Sequence, residues 1–454
     1  MSKRIKWSEI LIIGLAFFAT YFGAGNLIFP PMMGLQSGNS YAVSILGMAL
    51  SAIFLPILTI VIIGEIGNVQ GITDHVSPKL YNIFLTLSMI LTMVISVPRT
   101  AAVAIEMGVR GVYSGTPYIP GVVIYFLVVF FVAKSKDNVL DKIGKYLTPV
   151  MVIILFVLII RGVFDPLGTP VDTGNSQPFF SAFLSGYQTG DVSMSFVMAS
   201  IFIGTVVNKG YSDAKSRSKV MLLAGMVAFV CLLIIYGGLL YMGACVSADY
   251  PNGIGQAELL VDMILRSGGH VAMAALGVAV VLACLTTAIG QVTAIADHFS
   301  HISGNRVSYV SCESVIILAC VAIAFLGVDQ IVSLTAPLFG LLYPAMIVLL
   351  ILAVFRKLVP NDGAWQGAFY CVVLYSAIET LIAYGISPIV FTSIVAVMPL
   401  SSIGFGWVVP FIVGLIGGSV WGIASKKPQL LNSNNHVDRR MDLSFVNVTA
   451  VYRL

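Results

Sequence analysis

Long apolar runs follow one another along the chain from Leu11 to Ala424, with short polar stretches between them. A helix needs about 20 mainly apolar residues to cross the hydrocarbon of a bilayer. The pattern therefore predicts an all-α polytopic membrane protein with about 12 transmembrane helices. The predicted spans are 9–33, 42–64, 81–105, 118–133, 147–164, 180–207, 220–245, 270–297, 309–327, 330–354, 367–384 and 403–424. The stretch 386–400 is ambiguous, because it could be a re-entrant or interfacial segment or a thirteenth crossing.

Composition supports this interpretation. Hydrophobic residues make up 58% of the 454 residues and charged residues only 10%, whereas about a quarter of an ordinary soluble domain is charged. These values exclude a soluble globular protein and make the lipid bilayer the main partner. The net charge of +4 comes from loops between the spans, so it indicates orientation rather than nucleic-acid binding. The six cysteines show no C-x-x-C spacing and are expected to be free thiols.

Lys and Arg are concentrated at alternate connections between the spans. Short cytoplasmic loops of membrane proteins are rich in these residues, so both termini are predicted to be cytoplasmic, which requires an even number of crossings and favours twelve. We expect the protein to lie in a bacterial inner membrane. The basic connections hold Lys3, Arg4, Lys6, Lys79, Lys134, Lys136, Lys142, Lys145, Lys209, Lys215, Arg217, Lys219, Arg306, Arg356, Lys357, Lys426 and Lys427, against Arg110, Arg161 and Arg266 on the other side.

Two predicted spans contain residues that a continuous membrane helix would not favour. The first has Gly23, Gly25 and Asn26 near mid-depth, and the sixth has the polar, glycine-containing stretch 185–191. Unwound backbone at this depth is tolerated where it lines a cavity, and interrupted helices at matching places indicate a transporter built from inverted repeats. The alternatives are that the first glycines only allow close helix packing and that 185–191 is merely a loop or the start of a helix.

The two interruptions lie five spans apart. Because five is odd, a second copy of a five-span repeat enters the membrane from the opposite side, which gives a 5+5 inverted repeat. We therefore predict a transmembrane transporter domain over 1–427, with repeats at about 9–164 and 180–354 and extra helices at about 367–424. The polar stretch 428–454 is predicted to be a disordered C-terminal tail.

Three motifs resemble the branched-chain amino acid:cation symporter family. They are GAGNLIFPP at Gly23–Pro31, PRTA at Pro98–Ala101 followed by Glu106, and GYQTGD at Gly186–Asp191. The chain differs from the family pattern at Gly190, where a bulkier residue such as methionine is expected. The resemblance extends over the membrane portion. It implies the LeuT-type fold of the amino acid–polyamine–organocation transporters, with helices 1 and 6 discontinuous, and import of leucine, isoleucine and valine with Na⁺ or H⁺.

A transported amino acid presents a carboxylate and an ammonium that need partners inside the membrane. A break after Gly23 frees backbone N–H groups at the start of the second half-helix, which suits a carboxylate. The first half of each broken helix ends in free carbonyls that suit an ammonium or a cation. The predicted substrate-binding residues are Gly23, Ala24, Gly25, Asn26, Gly186, Tyr187 and Gln188.

The resemblance to LeuT-type transporters also implies a cation site, because a pair of hydroxyl residues on helix 8 resembles their Na⁺ ligands. Here the pair is Thr286 and Thr287, and the carbonyls of Ala19 and Phe22 would complete a Na⁺ site. The alternative is that these threonines bond to their own helix backbone.

Three ionisable residues within the spans are candidates for coupling or gating. Arg99 and Glu106 are seven residues apart and could pair directly or through water, either as a gate or as a structural pair. Asp191 could be a protonation site, a second cation ligand or the N-cap of the second half of helix 6.

Other function classes lack their signatures. A membrane-embedded enzyme needs a nucleophile with a base, paired aspartates or an H-E-x-x-H helix, and none is found. A channel would need ligands from several copies, whereas one chain can supply the groups here. The alternative transporter is an H⁺-coupled carrier of another small neutral amino acid. Neither a cofactor beyond the coupling ion nor an obligatory protein partner is implied.

Overall fold

The computed structural model describes residues 5–135, 139–250, 253–304 and 306–425, and all regular secondary structure in them is helical. The predicted tail 428–454 lies outside these residues. The α-helices are α1 (Trp7–Tyr21), α2 (Ala24–Ser37), α3 (Tyr41–Ala49), α4 (Leu55–Ile66), α5 (Gln70–Thr73), α6 (Leu80–Leu91), α7 (Val97–Val103), α8 (Tyr118–Ser135), α9 (Val139–Phe164), α10 (Pro178–Tyr187), α11 (Asp191–Asn208), α12 (Ala214–Cys245), α13 (Gln256–Ile302), α14 (Tyr309–Ala324), α15 (Val328–Val354), α16 (Asp362–Ala383), α17 (Ile389–Val397) and α18 (Val408–Ala424).

These helices form the twelve predicted spans. The first span is α1 with α2, the second α3 with α4, the third α6 with α7, and the sixth α10 with α11. Helix α13 turns at Gly269 (φ 68°), so that its part beyond this residue is the eighth span. The remaining spans are α8, α9, α12, α14, α15, α16 and α18. Helix α17 has nine residues, which is too short to cross a bilayer at about 1.5 Å per residue, so the stretch 386–400 is not a thirteenth crossing.

Both predicted breaks are present. Helix α1 ends at Tyr21 and α2 begins at Ala24, with Gly23 extended between them (φ −117°, ψ −176°). Helix α10 ends at Tyr187 and α11 begins at Asp191. Gly190 has a φ of 78°, in the left-handed region where a residue with a Cβ is strained. This backbone conformation accounts for glycine at the position where the family pattern suggests a bulkier residue.

Three π-helical segments interrupt the second and third spans. They are Leu50–Phe54, Thr92–Ser96 and Ala104–Val109. The first two directly precede α4 and α7, whose first turns contain Pro56 and Pro98. Proline cannot donate a backbone hydrogen bond and crowds the preceding turn, so a locally widened helix upstream relieves the conflict.

Helices α2 and α12 pack with their backbones in direct contact. A Cβ atom built on Gly34 would lie 1.9 Å from the carbonyl oxygen of Leu240, and one built on Gly243 would lie 2.1 Å from that of Pro31. Because lipid is as apolar as a leucine side chain, membrane helices associate mainly through such close packing of small residues. The second half of the first span is therefore fixed tightly to the seventh span.

The two helices beyond the repeats also approach closely. A Cβ atom on Gly367 of α16 would lie 2.1 Å from the carbonyl oxygen of Gly414 in α18. Helix α16 is attached to the rest of the bundle at its start, where Asp362 Oδ1 lies 2.6 Å from Nδ1 of His75, in the segment between α5 and α6. The His75 ring stacks on Trp365, with ring centroids 4.4 Å apart.

Candidate functional site

A cavity of about 180 Å³ lies where the two broken helices meet. It has room for on the order of ten water molecules, so it suits one small solute. Its walls come from both breaks, from the third span and from the eighth. Eight of the predicted site residues line it, namely Ala19, Phe22, Gly23, Gly25, Asn26, Arg99, Asp191 and Thr287.

Asn26 joins the two broken helices. Its side-chain Nδ2 donates to Asp191 Oδ2 at 3.0 Å, and it also contacts the carbonyl oxygen of Tyr21 and the hydroxyl of Tyr236 on α12. Asn26 is 2% exposed, so these contacts lie inside the protein. One amide therefore connects the end of α1, the start of α11 and the seventh span.

A second connection between the breaks lies beside the first. The Tyr21 hydroxyl is 2.7 Å from Oγ of Ser195, and Ser195 in turn donates to the carbonyl of Asp191 at 2.7 Å. The backbone N–H of Val192 donates to the hydroxyl of Tyr343 on α15 at 3.0 Å. Buried groups at membrane depth need such partners, so this network holds the start of α11 in a defined position.

The end of α1 offers backbone oxygens to the cavity. Among the described residues, no backbone N–H donates to the carbonyls of Ala19 and Phe22. Thr287 lines both the main cavity and a smaller adjoining one that Phe22 also lines. Thr286 differs, because its hydroxyl donates to the carbonyl of Ala283 at 2.9 Å in the same helix. Of the two predicted hydroxyls, the structure thus presents Thr287 to the cavity and directs Thr286 to its own backbone.

Arg99 and Glu106 have separate partners. Arg99 Nη1 donates to the carbonyl of Gln188 at 2.9 Å, and the guanidinium lies 5.5 Å from the centre of the Phe29 ring. Glu106 Oε1 accepts from the N–H of Val328, the first residue of α15, at 3.1 Å. Arg99 therefore connects the third span to the break in helix 6, and Glu106 connects it to the start of the tenth span.

Asp191 is the first residue of α11, and Gly190 occupies the N-cap position. The hydrogen bond that its Oδ2 accepts comes from Asn26 of α2, not from a backbone N–H of its own helix. The side chain is buried, yet it also lines the cavity. Of the roles expected for Asp191, the capping role is not seen in this geometry.

The predicted substrate residues of the sixth span lie away from the cavity. A Cβ on Gly186 would be 2.6 Å from Oγ of Ser51, so this glycine allows close packing against the second span. Tyr187 stacks on Tyr343 with ring centroids 4.6 Å apart, and Gln188 gives its carbonyl to Arg99. The cavity wall in this span is formed by the residues that follow, beginning at Thr189.

Sequence reasoning missed several polar residues of the site. Tyr236 and Tyr343 stand among apolar neighbours, and no motif marks these two residues or Ser195. Gln291, which donates to Oγ of Ser96 at 2.8 Å and lines the cavity, follows Thr287 by four residues. Residues four apart share a helix face, so that spacing was an available signal.

The cavity extends toward one end of the bundle. Its lining includes Ser88 in the first half of the third span, Met198 in α11 and Ala294 near the end of α13. Helices α1 and α6 begin at this end, and α11 and α13 finish there. Lys79, directly before α6, and Lys209, directly after α11, lie at this same end.

The chain is similar in sequence to proteins named as branched-chain amino acid transporters. Residues 6–425 match the model of a family described as branched-chain amino acid transport protein. The branched-chain amino acid permease BraB of Bacillus subtilis is 32% identical, over 92% of this chain and 97% of the relative. The branched-chain amino acid transport system 2 carrier protein of Pseudomonas aeruginosa is 30% identical, over 91% of this chain and 96% of the relative.

Solved structures share the architecture. Mhp1 in an inward-facing conformation superposes with a TM-score of 0.61 at 14% identity, covering 92% of this chain and 91% of Mhp1. A manganese transporter of Eremococcus coleocola gives a TM-score of 0.53 at 16% identity, covering 93% of this chain and 97% of that protein. At such identities the likeness concerns the fold alone, and it confirms the predicted LeuT-type arrangement of inverted repeats.

Proposed function

Because this chain belongs to the branched-chain amino acid transport protein family, we propose that it imports leucine, isoleucine and valine into the cell by symport with Na⁺. The chain is a multi-pass membrane transporter and not an enzyme. The observation that carries the proposal is the cavity where the two breaks meet, with exposed helix ends, an aspartate and an arginine in its walls.

The substrate's groups find partners in this cavity. The N–H of Gly25, in the first turn of α2, lies at the positive end of that half-helix and suits the carboxylate. Apolar side chains at the cavity wall suit an aliphatic side chain, because transfer of each buried CH₂ group from water contributes about 0.8 kcal/mol. The apolar lining residues include Leu91, Ile95, Met194, Met198 and Phe339.

The coupling ion would bind where α1 ends. Na⁺ is a hard cation, and in transporters of this architecture unwound carbonyls and half-helix C-terminal ends coordinate it. The carbonyls of Ala19 and Phe22 and the hydroxyl of Thr287 are oxygen donors of this kind at the cavity. Thr286 is less suited than Thr287 to bind the ion, because its hydroxyl already donates to the carbonyl of Ala283.

The direction of opening follows from the positive-inside rule. The end of the bundle toward which the cavity extends carries Lys79 and Lys209, and short Lys- and Arg-rich connections favour the cytoplasm. On this assignment both termini are cytoplasmic and the structure is an inward-open state. Transport by alternating access would require a second state in which this end closes and the opposite end opens.

Purified protein in liposomes should take up labelled leucine when an inward Na⁺ gradient is imposed, and much less with an H⁺ gradient or none. Thr287→Ala should raise the half-saturating Na⁺ concentration about tenfold or more, because a cation ligand is lost. Thr286→Ala is the matched control. Its half-saturating Na⁺ concentration should stay within about twofold of the wild-type value, since this hydroxyl donates to the backbone of its own helix.

Three outcomes would count against parts of this proposal. Uptake driven by protons alone, with Thr287→Ala indifferent, would exclude the Na⁺ site and favour the H⁺-coupled alternative, with Asp191 as the coupling group. Equal effects of the two threonine variants would remove the distinction between their hydroxyls. Failure of leucine to move under any gradient would overturn the proposed substrate.

Labelling from one side of the membrane tests the orientation. Thr169 lies exposed between α9 and α10, and Ser212 lies exposed between α11 and α12. In intact cells an impermeant maleimide should label Thr169→Cys, and it should label Ser212→Cys only after the membrane is opened. The unsubstituted chain, whose described cysteines are buried or half-buried, measures the background. The reverse pattern would place the termini outside.

A further inference from the structure

Two ionisable side chains of opposite charge face the same cavity, and neither is needed for the proposed Na⁺ site. They are Arg99 of α7 and Asp191 of α11. We propose that Arg99 binds the carboxylate of the transported amino acid and that Asp191 binds its ammonium, so that the protein recognises its substrate as a zwitterion. This inference rests on the proposed function and assigns the two charge-recognition residues of that site.

Arg99 lies directly beside the backbone that is suited to a carboxylate. A Cβ atom built on Gly25 would be 2.9 Å from both Cζ and Nη2 of Arg99 and 3.2 Å from Nη1. The guanidinium therefore lies against Gly25, next to the free N–H groups of the first turn of α2. A carboxylate at the start of this half-helix would be within reach of both the backbone and the guanidinium.

Most of the donor capacity of Arg99 is still available. A guanidinium carries five N–H donors, and in the described part of the chain the hydrogen bond of Arg99 is the one to the carbonyl of Gln188. The residue is 6% exposed. A buried cation with unused donors strongly favours a carboxylate, since the planar fork can bind both oxygens at once.

Asp191 supplies the complementary charge. Its Oδ2 accepts a hydrogen bond from Asn26, and the Thr189 side chain also interacts with the carboxylate. The residue lines the cavity from the start of the second half-helix of the sixth span. A carboxylate can accept several hydrogen bonds, so capacity for an ammonium remains. Because the two site charges cancel and a zwitterion is neutral, binding of the amino acid adds no net charge inside the membrane, where an uncompensated charge is expensive.

The arrangement predicts selection against ligands that carry only one of the two charges. Without its carboxylate a ligand leaves Arg99 unpaired, and without its amine a ligand leaves Asp191 unpaired. Truncating one partner of a buried, hydrogen-bonded charge pair costs enough to lower affinity by about a hundredfold. Wild-type protein should therefore bind leucine at least about a hundredfold more tightly than 3-methylbutylamine, which lacks the carboxylate, or 4-methylpentanoate, which lacks the amine.

Equilibrium binding of these three ligands to purified wild type, Arg99→Gln and Asp191→Asn, at saturating Na⁺, forms a chemical double-mutant cycle. Arg99→Gln should lower the affinity for leucine about a hundredfold and leave the affinity for 3-methylbutylamine unchanged. Asp191→Asn should lower the affinity for leucine and leave the affinity for 4-methylpentanoate unchanged. Retained binding of the truncated ligand shows that each variant is folded. Arg99→Lys, which keeps the charge but loses the fork, should be intermediate.

Gly25→Ala provides a test that leaves both charged residues in place. The added methyl would displace the flexible end of Arg99. The affinity for leucine should therefore fall, and the affinity for 3-methylbutylamine should not. If a variant lowers the affinity for leucine and for the corresponding truncated ligand equally, the charge-recognition role of that residue is wrong while the proposed function stands. If wild-type protein does not bind leucine at all, the proposed function fails, and this inference fails with it.

Discussion

Asn26→Leu is expected to abolish leucine uptake and to lower the free energy of unfolding by about 2–4 kcal/mol. The substitution keeps the side chain's size but removes the donor that Asp191 Oδ2, the Tyr21 carbonyl and the Tyr236 hydroxyl share. Three buried polar groups would lose a partner at once. Thermal unfolding in detergent and uptake in liposomes measure the two effects separately.

Asn39→Leu is the matched control for this variant. Asn39 lies exposed beyond the end of α2, so the same change of chemistry there should leave uptake and unfolding near wild type. Normal uptake by Asn26→Leu would show that the connection between the two breaks is dispensable. A loss of stability with uptake retained would assign the network a structural role only.

Gly243→Ala is expected to destabilise the protein by about 3 kcal/mol or more, because the new methyl meets backbone that cannot move aside as a side chain can. The clash would be with the carbonyl oxygen of Pro31, at 2.1 Å. Gly237 provides a control in the same helix, since a Cβ there would meet only the Ile45 side chain at 3.8 Å.

Gly237→Ala should be neutral or slightly stabilising, since alanine is the better helix former. Comparing the two alanine variants by thermal unfolding and by yield of monodisperse protein tests the α2–α12 contact. Equal stability of the two variants would mean that these helices can separate without cost, which contradicts direct contact between their backbones.

The spans and the breaks were predictable from sequence because each depends on a local signal. A run of apolar residues long enough to cross a bilayer marks a span wherever it occurs. Glycine at Gly23 and at Gly190 marks a chain that leaves the helical conformation, and the structure shows both departures. The LeuT-type architecture was predictable because three motifs resemble those of a known family.

The facing of side chains was harder to predict. A membrane helix that is apolar all round carries little information about which side faces a cavity. Gly186, Tyr187 and Gln188 lie only one to three residues before the cavity wall at Thr189, yet they face other helices. Tyr236 has no distinguishing neighbour in sequence, since its importance arises only where the seventh span meets Asn26.

Arg99 and Glu106 show why sharing a helix face is not enough. Seven residues of helix rise by about 10 Å, so a direct ion pair would need both side chains to extend toward each other along the helix. The π-helical segment Ala104–Val109 also alters the phase of the helix around Glu106. Each side chain therefore binds a backbone group near its own level, Gln188 in one case and Val328 in the other.

The hydrogen bond between Asn26 and Asp191 has a thermodynamic consequence for the proposed symport. The proposed cation site lies at the end of α1, whereas Asp191 is the first residue of α11. Asn26 connects the two, because it donates both to the Tyr21 carbonyl and to Asp191. If filling one site shifts this contact, the affinity of the other site changes by the same factor, because coupling free energy is reciprocal. Leucine would then raise the affinity for Na⁺ by the same factor by which Na⁺ raises the affinity for leucine.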